Sequence, residues 1–362
     1  MNNNNNKNPL TEKEAMKKAL KRKTRYRMPS VNIGVLIVTV ILFLIIGVCT
    51  LVIISRNDDK APLVTGSSLE SATVENAVDE EKPKATEISV AFPQSAIHEG
   101  ELILVNADHE FVFPDVRDDV SVYDNKTLSY KVGDMNVTLS MTAITAFNKL
   151  MDDFYAETGC RDVMIVSGGG FRTEEFQRQL YSNRVATDGA EMAAKYVALP
   201  GHSEHHTGLA MDLSVYTDAG EGYAVRAYEK CKWLVENFEN YGFILRYPEE
   251  KSDITGISYE SWHYRYVGLP HSLIMKEKGW VLEEYIEYLR NLPEGTAISW
   301  NGIASEEISL EGIHGGDYVV YYVPANETGD TEIKVPKNRE YTVSGDNVGG
   351  FIVTLNGGHT NE

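Results

Sequence analysis

The sequence predicts a chain of mixed helices and strands, carried on an N-terminal membrane anchor and followed by a small all-β extension. Three observations predict this. Residues 33–54 form an apolar run without a single charge. Between about 91 and 292, segments with helical apolar spacing alternate with short β-prone runs. Beyond about residue 293 only β-formers and turn residues remain, with no helical period.

Residues 1–30 are basic: nine cations between Lys7 and Arg27 face only Glu12 and Glu14, a net of +7. The whole chain is −19, so residues 31–362 carry −26. About 20 apolar residues at 1.5 Å rise cross a hydrocarbon core of about 30 Å, which makes residues 31–54 a transmembrane anchor. Arg56-Asn57-Asp58-Asp59 follows the run in place of a small-residue cleavage site, which argues against a signal peptide. The basic flank is expected to stay cytoplasmic and the bulk of the chain to lie outside. Residues 55–90 are acidic, dotted with Pro, Gly and Ser, and aperiodic, and read as a flexible stalk. The acidity of the body disfavours nonspecific nucleic-acid binding, which rests on cations. Cys49 lies in the anchor, and Cys160 and Cys231, without metal-site spacing, are expected as buried thiols.

Within 91–292, "GELILVN" (100–106) reads as a strand. Residues 140–159 place Met141, Ile144, Phe147, Leu150, Met151 and Phe154 at helical spacing, with Gly159 as the stop. A short strand is expected at 163–169, and a helix over 173–197 behind the cap Thr173. A further helix over 223–242 leads into a strand at 243–248, and 272–292 is mostly helical. The extension, 293–362, is near the size at which a small domain becomes marginal, so it is expected to lean on its neighbour.

The chemistry gathers in two stretches. In 201–214, Leu209, Met211, Leu213 and Val215 alternate with Ala210, Asp212 and Ser214 after the turn at Gly208. Period two puts Asp212 on a face of small side chains, with His205 just upstream and able to fold back toward it. A half-buried carboxylate needs a partner. A metal ion is one solution, and a surface loop whose aspartate pairs with an arginine is the other. The second stretch, "YESWHYR" (259–265), holds Glu260 and His263, and no His-Glu-x-x-His helix motif exists in the chain. A catalytic zinc needs three protein ligands and a nearby carboxylate as base. His205, Asp212 and His263 supply the first and Glu260 the second. In a straight strand Glu260 and His263 face opposite ways, so a bulge or turn is required. An aromatic-rich strand with incidental polar residues is the plainer alternative.

The run Ser203-x-His205-x-x-Gly208-x-Ala210-x-Asp212, with Glu260-x-Trp262-His263-x-Arg265 far downstream, resembles the zinc D-alanyl-D-alanine carboxypeptidases of the VanY type. These are related to VanX dipeptidases and bacterial L,D-carboxypeptidases. "SGGGFRTEEFQRQLY" (167–181) and "YGFILRYPEEKSDITG" (241–256) extend the likeness over roughly 95–290. The resemblance implies a compact α+β domain at 91–292, a small antiparallel sheet with packed helices of the hedgehog/DD-peptidase-like kind. It implies Zn²⁺ on His205, Asp212 and His263, Glu260 as general base and then acid, and Arg172 on the scissile carbonyl. Gln177 and Ser203 would fix the terminal carboxylate and backbone, and Trp262 would wall the pocket. Gly170 and Phe171 stand where the family has a tyrosine before its arginine, so a phenol hydroxyl is lost. His202 and His206 are expected as hydrogen-bonding loop residues, and Arg265 is expected to support the site or pair with a carboxylate rather than touch substrate. The implied function is removal of a terminal D-Ala from peptidoglycan stem peptides outside a bacterial membrane. The alternatives are an L,D-carboxypeptidase acting on tetrapeptide stems and a non-catalytic, zinc-stabilised wall-binding module.

Overall fold

The computed structural model describes residues 87–310, 317–337 and 339–357. The anchor at 31–54 and nearly all of the stalk at 55–90 lie outside them, and among the described residues no helix is long and apolar enough to cross a membrane. The first described strand, β1 (Glu87–Phe92), straddles the boundary expected between stalk and domain, and it pairs with a strand of the C-terminal extension.

The site is built on one sheet and one long helix. The sheet runs in the order β2 (Lys131–Val132), β3 (Val163–Ile165), β4 (Ala210–Tyr216), β7 (His263–Tyr266), β6 (Phe243–Leu245), with β5 (Gly222–Tyr223) paired to β4. Every pairing is antiparallel except β2 with β3, so the expected antiparallel sheet has one parallel edge. Helix α1 (Met141–Thr158) matches the sequence reading except at Met141, which starts the expected stripe but is exposed. The Ser140 hydroxyl accepts the Ala143 N–H at its start, and Gly159 closes it in the left-handed region. Its buried stripe of Ile144, Phe147, Leu150, Met151 and Phe154 packs against Leu209, Met211, Leu213 and Val215, the apolar set of β4. Period two therefore turns Asp212 to the opposite face. Cys160 and Cys231 are buried free thiols in this core.

Three expected elements are corrected. The helix over 173–197 is two, α2 (Glu174–Asp188) and α3 (Ala190–Tyr196), because Gly189 takes a φ of 82° between them. The segment 223–242 holds only α4 (Lys232–Asn237) among single 3₁₀ turns. Its buried positions Val225, Cys231, Leu234 and Phe238 acquire helical spacing only from Cys231 onward. The segment 272–292 is mostly helical, as expected, in α5 (His271–Lys278) and α6 (Leu282–Arg290), which Gly279 separates. Residues 100–106 are not a strand. Leu102 and Leu104 enter one core cluster and Ile103 and Val105 another, and the backbone N–H groups of Leu102 and Leu104 donate to Ser344 Oγ and Asp346 O instead of a ladder.

The extension is all-β, as expected. An antiparallel sheet of order β9 (Ser305–Ser309), β8 (Thr296–Trp300), β10 (Tyr318–Pro324), β13 (Gly350–Leu355), β12 (Tyr341–Gly345) is accompanied by β11 (Thr331–Pro336), the partner of β1. Alternate residues divide between its faces. Ala297, Val319, Tyr321, Phe351 and Val353 join Ile333, Val335, Val90 and Phe92 on one side. Ile298, Trp300, Val320 and Ile352 pack on the other against Ile274, Leu282, Ile286 and Leu289 of α5 and α6. The extension thus shares a core with the domain before it.

Candidate metal centre and cleft

Strands β4 and β7 set Asp212 directly opposite His263. Ahead of β4 a 3₁₀ turn, Glu204–Thr207, carries His205 and closes on Gly208 at a φ of 71°. A Cβ on Gly208 would lie 2.1 Å from Asp119 Oδ1, so a side chain there would have to displace that carboxylate as well as adopt the left-handed backbone. Glu260 does not lie in β7. It precedes the strand in a turn in which the His263 N–H meets Glu260 O at 3.4 Å, which supplies the reversal the sequence required.

Donor atoms of His205, Asp212 and His263 lie within 4.8 Å of one another, and all three residues are buried. The His205 Nδ1 lies 2.8 Å from the Gly170 carbonyl, which can only accept. Nδ1 therefore carries the proton, and the Nε2 lone pair faces Asp212 Oδ2 at 3.4 Å. Burial lowers the His205 pKa to about 4, so its ring is neutral. Asp212 Oδ1 is buried without a hydrogen-bond partner and faces His263 Nδ1 at 3.2 Å. The His205 Nε2 lone pair, the partnerless Asp212 Oδ1 and His263 Nδ1 converge on one buried locus, and this nitrogen and oxygen donor set fits Zn²⁺.

Burial would raise the Asp212 pKa, but His205, His263 and Arg172 outweigh it and hold the carboxylate well below its usual range. Arg172 Nη2 donates to Asp212 Oδ2 at 2.5 Å, and its Nε donates to Gly168 O at 2.8 Å. Glu260 is 7% exposed and lies 3.7 Å from His263 Nδ1. Burial first, then Asp212, raises its pKa to about 7 against the pull of His263 and Arg172.

A cleft of about 410 Å³ opens over the cluster and brings together every residue assigned from sequence: Arg172, Gln177, Ser203, His205, Asp212, Glu260, Trp262 and His263. Gln177 Nε2 donates to Ala198 O at 2.8 Å, leaving its buried Oε1 without a partner. Trp262 is half open on the rim. The cleft continues along α2 to Asn183, Arg184 and Thr187.

His202 and His206 stay outside the cluster. His202 Nδ1 meets Asn106 O at 2.8 Å. His206 is fully buried, with Nδ1 at 2.7 Å from Arg172 O and Nε2 accepting the Gly201 N–H at 3.1 Å. Arg265 pairs with the Glu204 carboxylate at 2.9 Å, as a supporting arginine should. Phe171 lies under the Arg117 guanidinium at 4.1 Å. Sequence reasoning missed Tyr247, whose ring stands 4.9 Å from that of His263, and Glu204, which lies behind His263. The available signal for Glu204 was its place between Ser203 and His205.

Residues 136–269 match the VanY family, described as D-alanyl-D-alanine carboxypeptidase. A D-alanyl-D-alanine carboxypeptidase of Enterococcus faecium is 36% identical over 276 residues, covering 74% of this chain and 80% of the relative. The bifunctional D-Ala-D-Ala dipeptidase and D-Ala-D-Ala carboxypeptidase VanXYC of Enterococcus gallinarum is 44% identical over 132 residues, 36% of this chain and 68% of that protein. Among solved structures, the vancomycin resistance D,D-dipeptidase VanXYg in complex with a D-Ala-D-Ala phosphinate analog superposes with a TM-score of 0.62. It shares 30% identity and covers 74% of this chain and 98% of its own.

Proposed function

Because the chain belongs to the VanY family of D-alanyl-D-alanine carboxypeptidases, we propose that it is a zinc D,D-carboxypeptidase that removes the terminal D-Ala from peptidoglycan stem peptides. It would act outside a membrane in which residues 31–54 anchor it, with the basic segment 1–30 cytoplasmic. The observation that carries the reading is Glu260, a buried carboxylate 3.7 Å from His263 Nδ1 at the edge of the His205–Asp212–His263 cluster. Zinc on those three donors would supply Lewis acidity, activating a water and offsetting charge that develops on the scissile carbonyl oxygen.

The chain's own residues do the rest. Glu260 takes the proton of the attacking water on its carboxylate and returns it to the leaving amine. Arg172, fixed by Gly168 O, directs its guanidinium at the cluster and donates where the carbonyl oxygen becomes negative. Gln177 offers a bare acceptor, Oε1, which suits a substrate backbone N–H. The Ser203 hydroxyl suits the terminal carboxylate, and Trp262 walls the mouth. The continuation of the cleft along α2 to Thr187 gives room for a peptide longer than a dipeptide.

Pentapeptide and tetrapeptide muropeptides incubated with the protein and read by mass spectrometry test this. Loss of one alanine from pentapeptides alone is expected. Loss from tetrapeptides alone makes the enzyme an L,D-carboxypeptidase, and no loss from either refutes catalysis on this substrate class. Recovery of the full chain in the membrane fraction after alkaline wash, against release of a chain beginning at residue 87, tests the anchor.

A further inference from the structure

Glu204 is buried behind the metal cluster, and its two oxygens do different things. Oε1 accepts from Arg246 Nε at 2.8 Å and from Arg265 Nη1 at 2.9 Å. Both guanidiniums are fully buried. Arg246 is held from behind by Glu283, a two-pronged contact at 2.9 and 2.7 Å, and Arg265 Nη2 donates to Glu101 O and Ile103 O. The second oxygen, Oε2, is buried without a hydrogen-bond partner and lies 3.6 Å from His263 Nε2, itself buried and without one. On the opposite edge of that ring Nδ1 faces Asp212.

We propose that Glu204 is a positioning residue: its carboxylate holds the Nε2 proton of His263, so that Nδ1 is the nitrogen presented to the metal with His205 and Asp212. The inference rests on the metal reading above. An imidazole left to itself divides its proton between the two nitrogens, and only the partner of one fixes the other as a ligand. A carboxylate does this only if it stays ionised and still in a dry interior, which is unfavourable without compensating cations. Two rigid guanidinium forks supply that compensation here. Glu283 stands on α6, whose apolar side packs on the extension. The row Glu283–Arg246–Glu204–His263 therefore ties a metal ligand to the helix that carries the C-terminal sheet.

The test is zinc affinity by chelator competition on the full chain, beside thermal unfolding of the metal-free protein. Glu204→Asp keeps the charge on the arginines but withdraws the oxygen from His263. It is expected to weaken zinc binding about 10–100-fold, with the unfolding midpoint of the metal-free protein close to wild type. Unchanged affinity in Glu204→Asp overturns the inference alone, whereas a wild-type chain without zinc affinity overturns the metal reading. Should Glu204→Asp not fold, the ¹H–¹⁵N spectrum of the histidine rings in the zinc-loaded wild type decides. A slowly exchanging proton on His263 Nε2 supports the inference, and a proton on Nδ1 overturns it.

Discussion

At the scale of single residues, Asp212 shows how far pattern reasoning reaches. Alternation along 209–215 is enough to turn it away from the core, and the strand does turn it away. Alternation alone leaves open whether a metal or an arginine neutralises it, and the fold supplies for both: Arg172 at 2.5 Å and two imidazoles aimed at the same locus. His263 and Glu260 are legible from their motif, but not the turn that lets a Glu and a His three apart face one cluster. Glu204 has only its place between Ser203 and His205 as a signal, because a glutamate beside a histidine reads as surface until Arg246 and Arg265 are seen buried on it. Glu260 carries the sharpest expectation at this scale. Glu260→Gln should keep its zinc and lose about 10²–10⁴ in kcat. Turnover at the wild-type rate with zinc retained would remove Glu260 from the proton path.

The elements divide by the kind of signal that specifies them. Helix α1 has a cap, a continuous apolar stripe and a glycine stop, and it is readable end to end. Gly189 breaks the helix expected over 173–197 by taking a positive φ, which a glycine within a polar helical pattern gives no sign of in the sequence. Residues 100–106 imitate a strand because two separate clusters claim alternate side chains, as a sheet would. Two glycines at helix ends separate backbone cost from contact cost. A Cβ added at Gly159 (φ 66°) would have nothing within 4 Å, whereas one added at Gly208 (φ 71°) would meet Asp119 at 2.1 Å. Gly159→Ala should cost about 1–2 kcal/mol for the left-handed backbone alone, and Gly208→Ala distinctly more. Equal losses of Tm by calorimetry would mean that Asp119 yields freely. His271 is a strut between elements: its Nδ1 meets Tyr285 Oη of α6 at 2.7 Å and its Nε2 meets Thr354 Oγ1 of β13 at 3.0 Å. Burial lowers its pKa from 6.5 to about 3. The unfolded chain therefore binds this proton below about pH 6.5 while the folded one resists, and stability falls as pH falls across that window, by about 1.4 kcal/mol per unit. Thermal unfolding at pH 7 and 5 should show a shallower loss in His271→Gln than in wild type. Matching slopes would show that His271 is protonated in the fold.

At the scale of the whole molecule, the boundary drawn near residue 293 marks a change of secondary structure but not of core. Sequence composition shows where helices stop. It does not show that Ile298, Trp300, Val320 and Ile352 will turn one face toward α5 and α6, or that β1, nearly two hundred and forty residues upstream of its partner β11, will complete the other. Both facts depend on long-range pairing that no local window contains. They bear on what the extension does. A detachable wall-binding module would present an independent core and a thin interface. Here the buried side chains are common property. Removing those four residues alone uncovers apolar area worth roughly 1.5–3 kcal/mol for each large side chain, together comparable to the 5–15 kcal/mol that holds a typical domain folded. It also strips His271 of Thr354 and loosens the helix that carries Glu283. A chain ending at residue 292 is therefore expected to be unfolded or aggregated, by circular dichroism and size exclusion, and to bind no zinc. A truncated chain that folds, loads zinc and cleaves pentapeptides at the wild-type rate would show that the shared core is dispensable and would return the extension to the role of a separate module.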